Sequence, residues 1–115
     1  MITFDDFKKV EIRAGKIISA EKILDTDKLL KLIVDFVEKD EVGNPKSRQI
    51  ISGIYKYFPD PQVLVGKVCM FVTNLEPRMI KGLESNGMLF ALSTESGGFS
   101  LLEPNETIPP GTLAV

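Results

Sequence analysis

The stretch Val10-Glu11-Ile12-Arg13-Ala14-Gly15-Lys16-Ile17-Ile18-Ser19-Ala20 decides the fold. Val10 to Ala14 alternates apolar and polar residues with period two, Gly15 interrupts, and Lys16 to Ala20 resumes in strand-like composition. A glycine inside a strand marks a bulge or a sharp bend. These residues therefore predict one long, curved first strand of the kind that closure of a small barrel demands.

Working outward, Thr3 to Lys9 predicts a short N-terminal helix. Thr3 caps it, Asp5 and Asp6 lie at the positive end of its dipole, and Lys8 and Lys9 at the negative end. Phe4 and Phe7, at i and i+3, are expected to cover one side of the core. Downstream, the turn-rich Leu24-Asp25-Thr26-Asp27 leads to a second strand from Lys28 to Phe36. There Leu30, Leu32, Val34 and Phe36 share one face and Lys31 lies on the other. Glu38 to Ser47, around Gly43-Asn44-Pro45, is expected to be a polar loop, and Arg48 to Gly53 a third strand. Pro59 and Pro61 restrict Ile54 to Gly66 to a helical turn or two. Lys67 to Thr73 is the most apolar strand, with Cys69 inside it as a packing residue. Met88 to Leu92 and Phe99 to Leu102 predict a hairpin around Ser96-Gly97-Gly98. Short strands at this spacing describe an all-β chain with one domain, residues 1–115, and leave open a small barrel and a small sandwich.

Composition narrows the chemistry. The chain has 115 residues, no His and a single Cys, so Ser-His-Asp and Cys-His machinery, imidazole metal sites and structural zinc are excluded. No glycine-rich phosphate cradle occurs, which leaves only carboxylate or lysine chemistry for an enzyme. No apolar run is long enough to span a membrane, no signal peptide is visible at the N-terminus, and a lone Cys suits a reducing cytoplasm. Net charge is −2, but all 14 basic residues lie in residues 1–81, and residues 82–115 carry only Glu84, Glu95, Glu103 and Glu106. Residues 44–81 hold Lys46, Arg48, Lys56, Lys67, Arg78 and Lys81 against Asp60 and Glu76. Such a local excess steers phosphates more than the total does.

Between the fourth and fifth predicted strands, Pro77-Arg78-Met79-Ile80-Lys81-Gly82-Leu83-Glu84-Ser85-Asn86-Gly87-Met88 has the period of neither strand nor helix. It reads as a loop and the start of a strand on a binding face. Arg78 and Lys81 offer charge-assisted hydrogen bonds to phosphates. Gly82 and Gly87 suit positive φ or close backbone approach. Ser85 is placed to donate to a phosphate or 2′-hydroxyl, Asn86 to position a polar edge, and Met88 to give an apolar contact to a base or sugar.

Seven runs resemble, in order and spacing, the tRNA-binding OB-fold family. They are Phe7 to Ile17, Asp27-Lys28-Leu29, Ile51-Ser52-Gly53-Ile54, Leu64-Val65-Gly66-Lys67, Asn74-Leu75-Glu76-Pro77-Arg78, Gly82 to Met88, and Ile108-Pro109-Pro110-Gly111-Thr112. The family includes the C-terminal domain or small subunit of methionyl-tRNA synthetase, stand-alone structure-specific tRNA-binding proteins, and the cytokine-precursor domain of animal synthetase complexes. The resemblance covers the whole chain. It implies a five-stranded OB-fold barrel with a short N-terminal helix and C-terminal appended strands, and no cofactor, metal or catalytic residue. It implies a cytoplasmic tRNA-binding protein, homodimeric through its terminal segments, serving a methionyl-tRNA synthetase catalytic domain in cis or in trans. Arg78, Lys81, Ser85, Asn86 and Met88, with Asn74 at the start of the segment, match the RNA-contacting set. Lys16, Lys28, Lys31, Arg48 and Lys56 form a second tier on strands or strand edges, Lys56 lying between Tyr55 and Tyr57, either of which stacks on a base if exposed.

The chain departs from the family pattern at three places. Ile23-Leu24-Asp25-Thr26 replaces a common His-Pro-Asn-Ala run, the acidic loop before the third strand is longer than usual, and Glu76 stands where a base is common. Each change lowers positive potential. The alternative within the same fold is a chaperone-like dimer that binds unfolded peptide, against which the Ser85-Asn86-Gly87-Met88 pattern argues.

Overall fold

A computed structural model describes residues 1–115. The elements run α1 (Phe4–Phe7), β1 (Ile12–Lys22), β2 (Leu30–Lys39), β3 (Pro45–Ser52), β4 (Val68–Val72), β5 (Arg78–Ile80), β6 (Leu83–Ser85), β7 (Met88–Leu89), β8 (Ala91–Ser93) and β9 (Phe99–Leu101). Two 3-10 turns, Tyr55–Tyr57 and Pro61–Leu64, join β3 to β4. Five strands form one sheet in the order β3-β2-β1-β4-β7, antiparallel at every pairing. Period-two burial drives the curl: Leu30, Leu32, Val34 and Phe36 of β2 all face inward with Ile17 and Ala20 of β1, Ile50 of β3, and Cys69 and Phe71 of β4. Burying each large side chain contributes about 1.5–3 kcal/mol. Leu64 from the second 3-10 turn joins this cluster, and Phe36 meets Phe71 edge to face at 5.4 Å between ring centres.

The sheet's two edges meet through the segment that follows β6. Asn86 N–H donates to Gln49 O at 2.8 Å, Gln49 Nε2 donates to Glu84 O at 3.0 Å, and Ile51 N–H donates to Ser85 Oγ at 3.0 Å. The result is an OB-like barrel, as the resemblance implied. The expected C-terminal strands are present as the hairpin β8–β9, held beside β4 where Met70 N–H donates to Leu102 O and Met70 O accepts from Phe90 N–H. No helix is long and apolar enough to cross a membrane.

Cys69 is fully buried, and burial pushes its thiol up to about 12, so it packs as a neutral hydrophobe. The Thr3 cap expected at α1 forms, and the structure extends it to a capping box: Thr3 Oγ1 accepts from Asp6 N–H at 3.0 Å and the Asp6 carboxylate accepts from Thr3 N–H. Four expectations fail in instructive ways. Phe4 and Phe7 do not cover the core, since α1 lies outside the barrel with both rings exposed. The acidic loop of residues 38–47 is half strand, narrowed to a turn at Asp40–Asn44 in which Asp40 Oδ1 accepts from Val42 and Asn44 N–H. Met88 to Leu92 is two strands rather than one, broken at Phe90 where the chain leaves β4's partner position for the β8–β9 hairpin. Residues 78–85 form a paired hairpin, Arg78 opposite Ser85 and Ile80 opposite Leu83, too short for its period to stand out in the sequence.

Gly15 also has a different cause from the expected bulge. The register shift in β1 falls between Ile17 and Ser19, while Gly15 pairs regularly with Cys69. A Cβ on Gly15 would lie 2.5 Å from the Phe36 ring and 2.6 Å from Val34 Cγ1, so the absent side chain makes room for Phe36. Gly15→Ala is expected to overpack this point and lower stability by about 1–3 kcal/mol, measured by urea or thermal unfolding.

Candidate nucleic-acid interface

β1 ends at Lys22 and β2 begins at Leu30, and the turn between them is rigidly braced. Ile23 N–H donates to Leu29 O at 3.1 Å, and Thr26 Oγ1 donates to Ile23 O at 2.8 Å. The β5–β6 hairpin reaches over to this turn. Its tip, Lys81-Gly82, has φ of 52° and 79°, the two positive values of a type I′ turn. Left-handed φ suits Gly82 and costs Lys81 roughly 1 kcal/mol. The tip helps to line two adjoining grooves. One is walled by Asp25, Thr26, Asp27, Lys28, Leu29 and Ile80, the other by Glu21, Lys22, Lys31 and Leu83 with neighbouring turn residues, and Lys81 belongs to both.

Lys28 and Lys31, three residues apart in the sequence, are thus joined by Lys81 from far along the chain. Lys31 is ion-paired with Glu21 at 2.6 Å, while Lys28 and Lys81 have no ion-pair partner. Lys56 lines neither groove: its 3-10 turn is fastened to the β1–β2 turn by Tyr55 N–H donating to Lys28 O, and its ammonium lies 5.0 Å above the half-buried Tyr57 ring. Tyr57 is stacked on Phe99 at 4.2 Å, so that ring is partly taken up by internal packing. Lys22 was missed in the sequence because the first strand was ended at Ala20. Two more residues of alternation carry Lys22 to the groove, with its ammonium 4.8 Å from the Tyr55 ring. Arg78 is exposed at the root of the hairpin opposite Ser85, and Lys16 is exposed in mid-strand opposite Asp35. Met88 is exposed beside β4, and Asn86 is half-buried with its backbone N–H closing the barrel.

Three other sequence candidates serve the framework. The Ser85 hydroxyl is buried, accepting from Ile51 N–H and donating to Gly87 O, so it presents nothing to a ligand. Asn74 Oδ1 accepts from Glu11 N–H at 2.8 Å and its Nδ2 donates to Lys9 O at 2.6 Å, clamping the N-terminal segment to the end of β4. Arg48 shares the inward face of β3 with Ile50 and seals one mouth of the barrel. Its guanidinium makes two bonds to the Glu38 carboxylate at 2.7 and 2.8 Å, a third to Thr73 O, and rests on the Phe36 ring. Beside it Glu11 Oε1 accepts from Arg13 Nε at 2.9 Å and from Thr73 Oγ1 at 2.7 Å. Mixed strand periodicity could not separate these inward cations from outward ones.

The fold and its loops define a class first: a five-stranded OB-type barrel, whose oligonucleotide-binding members use the outer strand face with the loops joining strands one to two and four to five. Those loops are here the Ile23–Leu29 turn and the β5–β6 hairpin. Residues 12–113 match the family described as "Putative tRNA binding domain", and the chain belongs to that family. A methionine–tRNA ligase of Azoarcus sp. is 42% identical over 113 residues, covering 96% of this chain but 16% of the ligase. The crystal structure of a MetRS-related protein from Pyrococcus horikoshii superposes with a TM-score of 0.86 at 38% identity, over 100% of this chain and 98% of that one. The CsaA chaperone protein from Picrophilus torridus has a TM-score of 0.82 at 28% identity over the full length of both chains.

The sealed mouth sets an acid limit. Hydrogen bonds from Arg48 hold Glu38 below its ordinary pKa of 4.5, and bonds from Arg13 and Thr73 do the same for Glu11. Their stabilisation is complete above 4.5 and is lost as pH falls through the lowered values. The urea midpoint is expected to drop as pH is taken from neutral to below 4.5, and Glu38→Gln to be less stable at neutral pH with a shallower acid loss.

Proposed function

We propose that this domain is a non-catalytic, structure-specific tRNA-binding module of the cytoplasm, occupying residues 1–115. It works alone or as an accessory to a methionyl-tRNA synthetase in cis or in trans. The observation that carries this reading is the meeting of Lys22, Lys28, Lys31 and Lys81 at the two loops an OB barrel uses for oligonucleotides. Arg78, Lys16 and Lys56 extend the cationic contacts along the hairpin and the strand face. Asn86 and Met88 offer a polar and an apolar contact beside them, and Arg48, Asn74 and Ser85 act by holding the strands and hairpin in position. Binding rests on neutralising phosphates of folded RNA, so affinity falls with salt. With about four phosphates engaged, the slope of log affinity against log salt is roughly −3 to −4.

The ends of the chain lie at the other side of the molecule. α1 and the C-terminal tail line an apolar groove of Phe4, Phe7, Val10, Leu113, Ala114 and Val115. This groove is the homodimer interface in our reading. It is also the feature that favours the second reading, a chaperone-like dimer that takes unfolded peptide, in line with the likeness to CsaA.

Lys81→Asn tests the main reading cleanly, since asparagine accepts left-handed φ and Asn-Gly is a preferred type I′ pair. The variant is expected to be more stable by about 0.5–1 kcal/mol while binding an unmodified tRNA transcript several-fold more weakly, with a salt slope shallower by about one. Wild-type protein that binds unfolded peptide but no tRNA would establish the second reading instead. Sedimentation at micromolar concentration is expected to show a dimer that Phe7→Glu dissociates; a strict wild-type monomer removes the interface.

A further inference from the structure

Ser85, the residue whose chemistry best suited a ribose hydroxyl, is sealed inside the barrel, which leaves that role to another group. The groove between the Ile23–Leu29 turn and the hairpin tip contains two unused acceptors. Asp25 and Asp27 line it together with Lys28 and Lys81, yet neither carboxylate makes a side-chain hydrogen bond or an ion pair, and neither ammonium has an ion-pair partner. Charges of both signs therefore share one cleft without a direct ion pair between them.

A purely phosphate-binding cleft gains nothing from two carboxylates, which repel phosphate oxygens. A ligand that alternates anionic oxygens with hydroxyl donors satisfies both signs. RNA is such a ligand, since each phosphate is flanked by a 2′-hydroxyl that can donate. Carboxylates are acceptor-only groups and take a hydroxyl proton in a charge-assisted bond. The turn is preorganised for this: the Ile23–Leu29 and Thr26–Ile23 hydrogen bonds fix its backbone, and Asp25 holds a left-handed φ of 62° within it. Little ordering is then required when ligand arrives.

We infer that this groove is a ribose-reading subsite in which Lys28 and Lys81 hold a phosphate while Asp25 and Asp27 accept hydrogen bonds from adjacent 2′-hydroxyls. The inference rests on the tRNA-binding reading and adds to it the residues that distinguish ribose from a sugar without that donor. The acids lower overall affinity by repulsion and in return make it conditional on hydroxyl groups. They act as specificity determinants, and affinity for RNA lacking the donor is reduced twice over.

The test compares an unmodified tRNA transcript with its 2′-fluoro counterpart, which keeps A-form geometry but cannot donate. Wild-type protein is expected to prefer the ribose transcript by about tenfold, the size of one to two net hydrogen bonds. Two double variants separate charge from hydrogen bonding. Asp25→Asn with Asp27→Asn removes both charges but keeps an acceptor oxygen at each position, and is expected to bind both RNAs more tightly while retaining most of the preference. Asp25→Gly with Asp27→Ala removes the acceptors too, glycine preserving the turn, and is expected to bring the preference close to one. Thermal unfolding checks that both variants fold. If the ribose transcript fails to bind wild type, the tRNA reading itself falls. If it binds but the preference is absent, or survives in the Gly/Ala variant, the reading stands and the ribose-reading assignment is overturned.

Discussion

The barrel depends on how its open edge is closed. β3 and β7 are the outer strands of a single sheet, and no long ladder joins them. Closure rests on three bonds, from Asn86 N–H to Gln49 O, from Gln49 Nε2 to Glu84 O and from Ile51 N–H to Ser85 Oγ. One of these uses a side-chain hydroxyl where a regular ladder would use a carbonyl. The same three contacts anchor the base of the β5–β6 hairpin, so the geometry that completes the core also decides where Lys81 arrives. Replacing the Ser85 hydroxyl leaves a buried backbone N–H without a partner, a loss of about 1–3 kcal/mol, and loosens the hairpin at its root.

The two mouths of the barrel handle charge in opposite ways. At one, Arg48, Glu38, Arg13, Glu11 and Thr73 are mutually satisfied, and the guanidinium of Arg48 is covered by Phe36 and Thr73. At the other, Lys22, Lys28 and Lys81 remain unpaired beside Asp25 and Asp27. Paired charge stabilises a fold and is electrically quiet; unpaired charge at braced loops is available to a ligand. Net charge, which is slightly negative, conveys neither fact.

The core was legible because burial on β2 imposes an alternation that the sequence records, and because β4 is apolar along its whole length. The OB barrel itself was less so: the break at Gly15 leaned toward a barrel, alternation still allowed a sandwich, and only the ordered family motifs chose. The site was legible in part. In the cationic cluster of the proposed interface, Lys28, Lys31 and Lys81 stand out because cations in turns and on outer strand faces are conspicuous, whereas Lys22 lies two residues beyond the strand end that the sequence suggests. Arg48 and Ser85 misled for one physical reason. A buried polar residue in a fully satisfied network looks, in sequence, the same as an exposed one that awaits a ligand. Asn74 belongs with them, since its amide is committed to backbone groups 63 and 65 residues away.

Both chain termini gather at one end of β1. Arg13 bridges to Leu113, Ala114 N–H donates to Ile12 O, and Asn74 holds the N-terminal segment alongside. The charged loops lie at the far end of the same 11-residue strand, roughly 30 Å along its path. A polypeptide spliced onto either terminus would thus emerge on the side remote from Lys81.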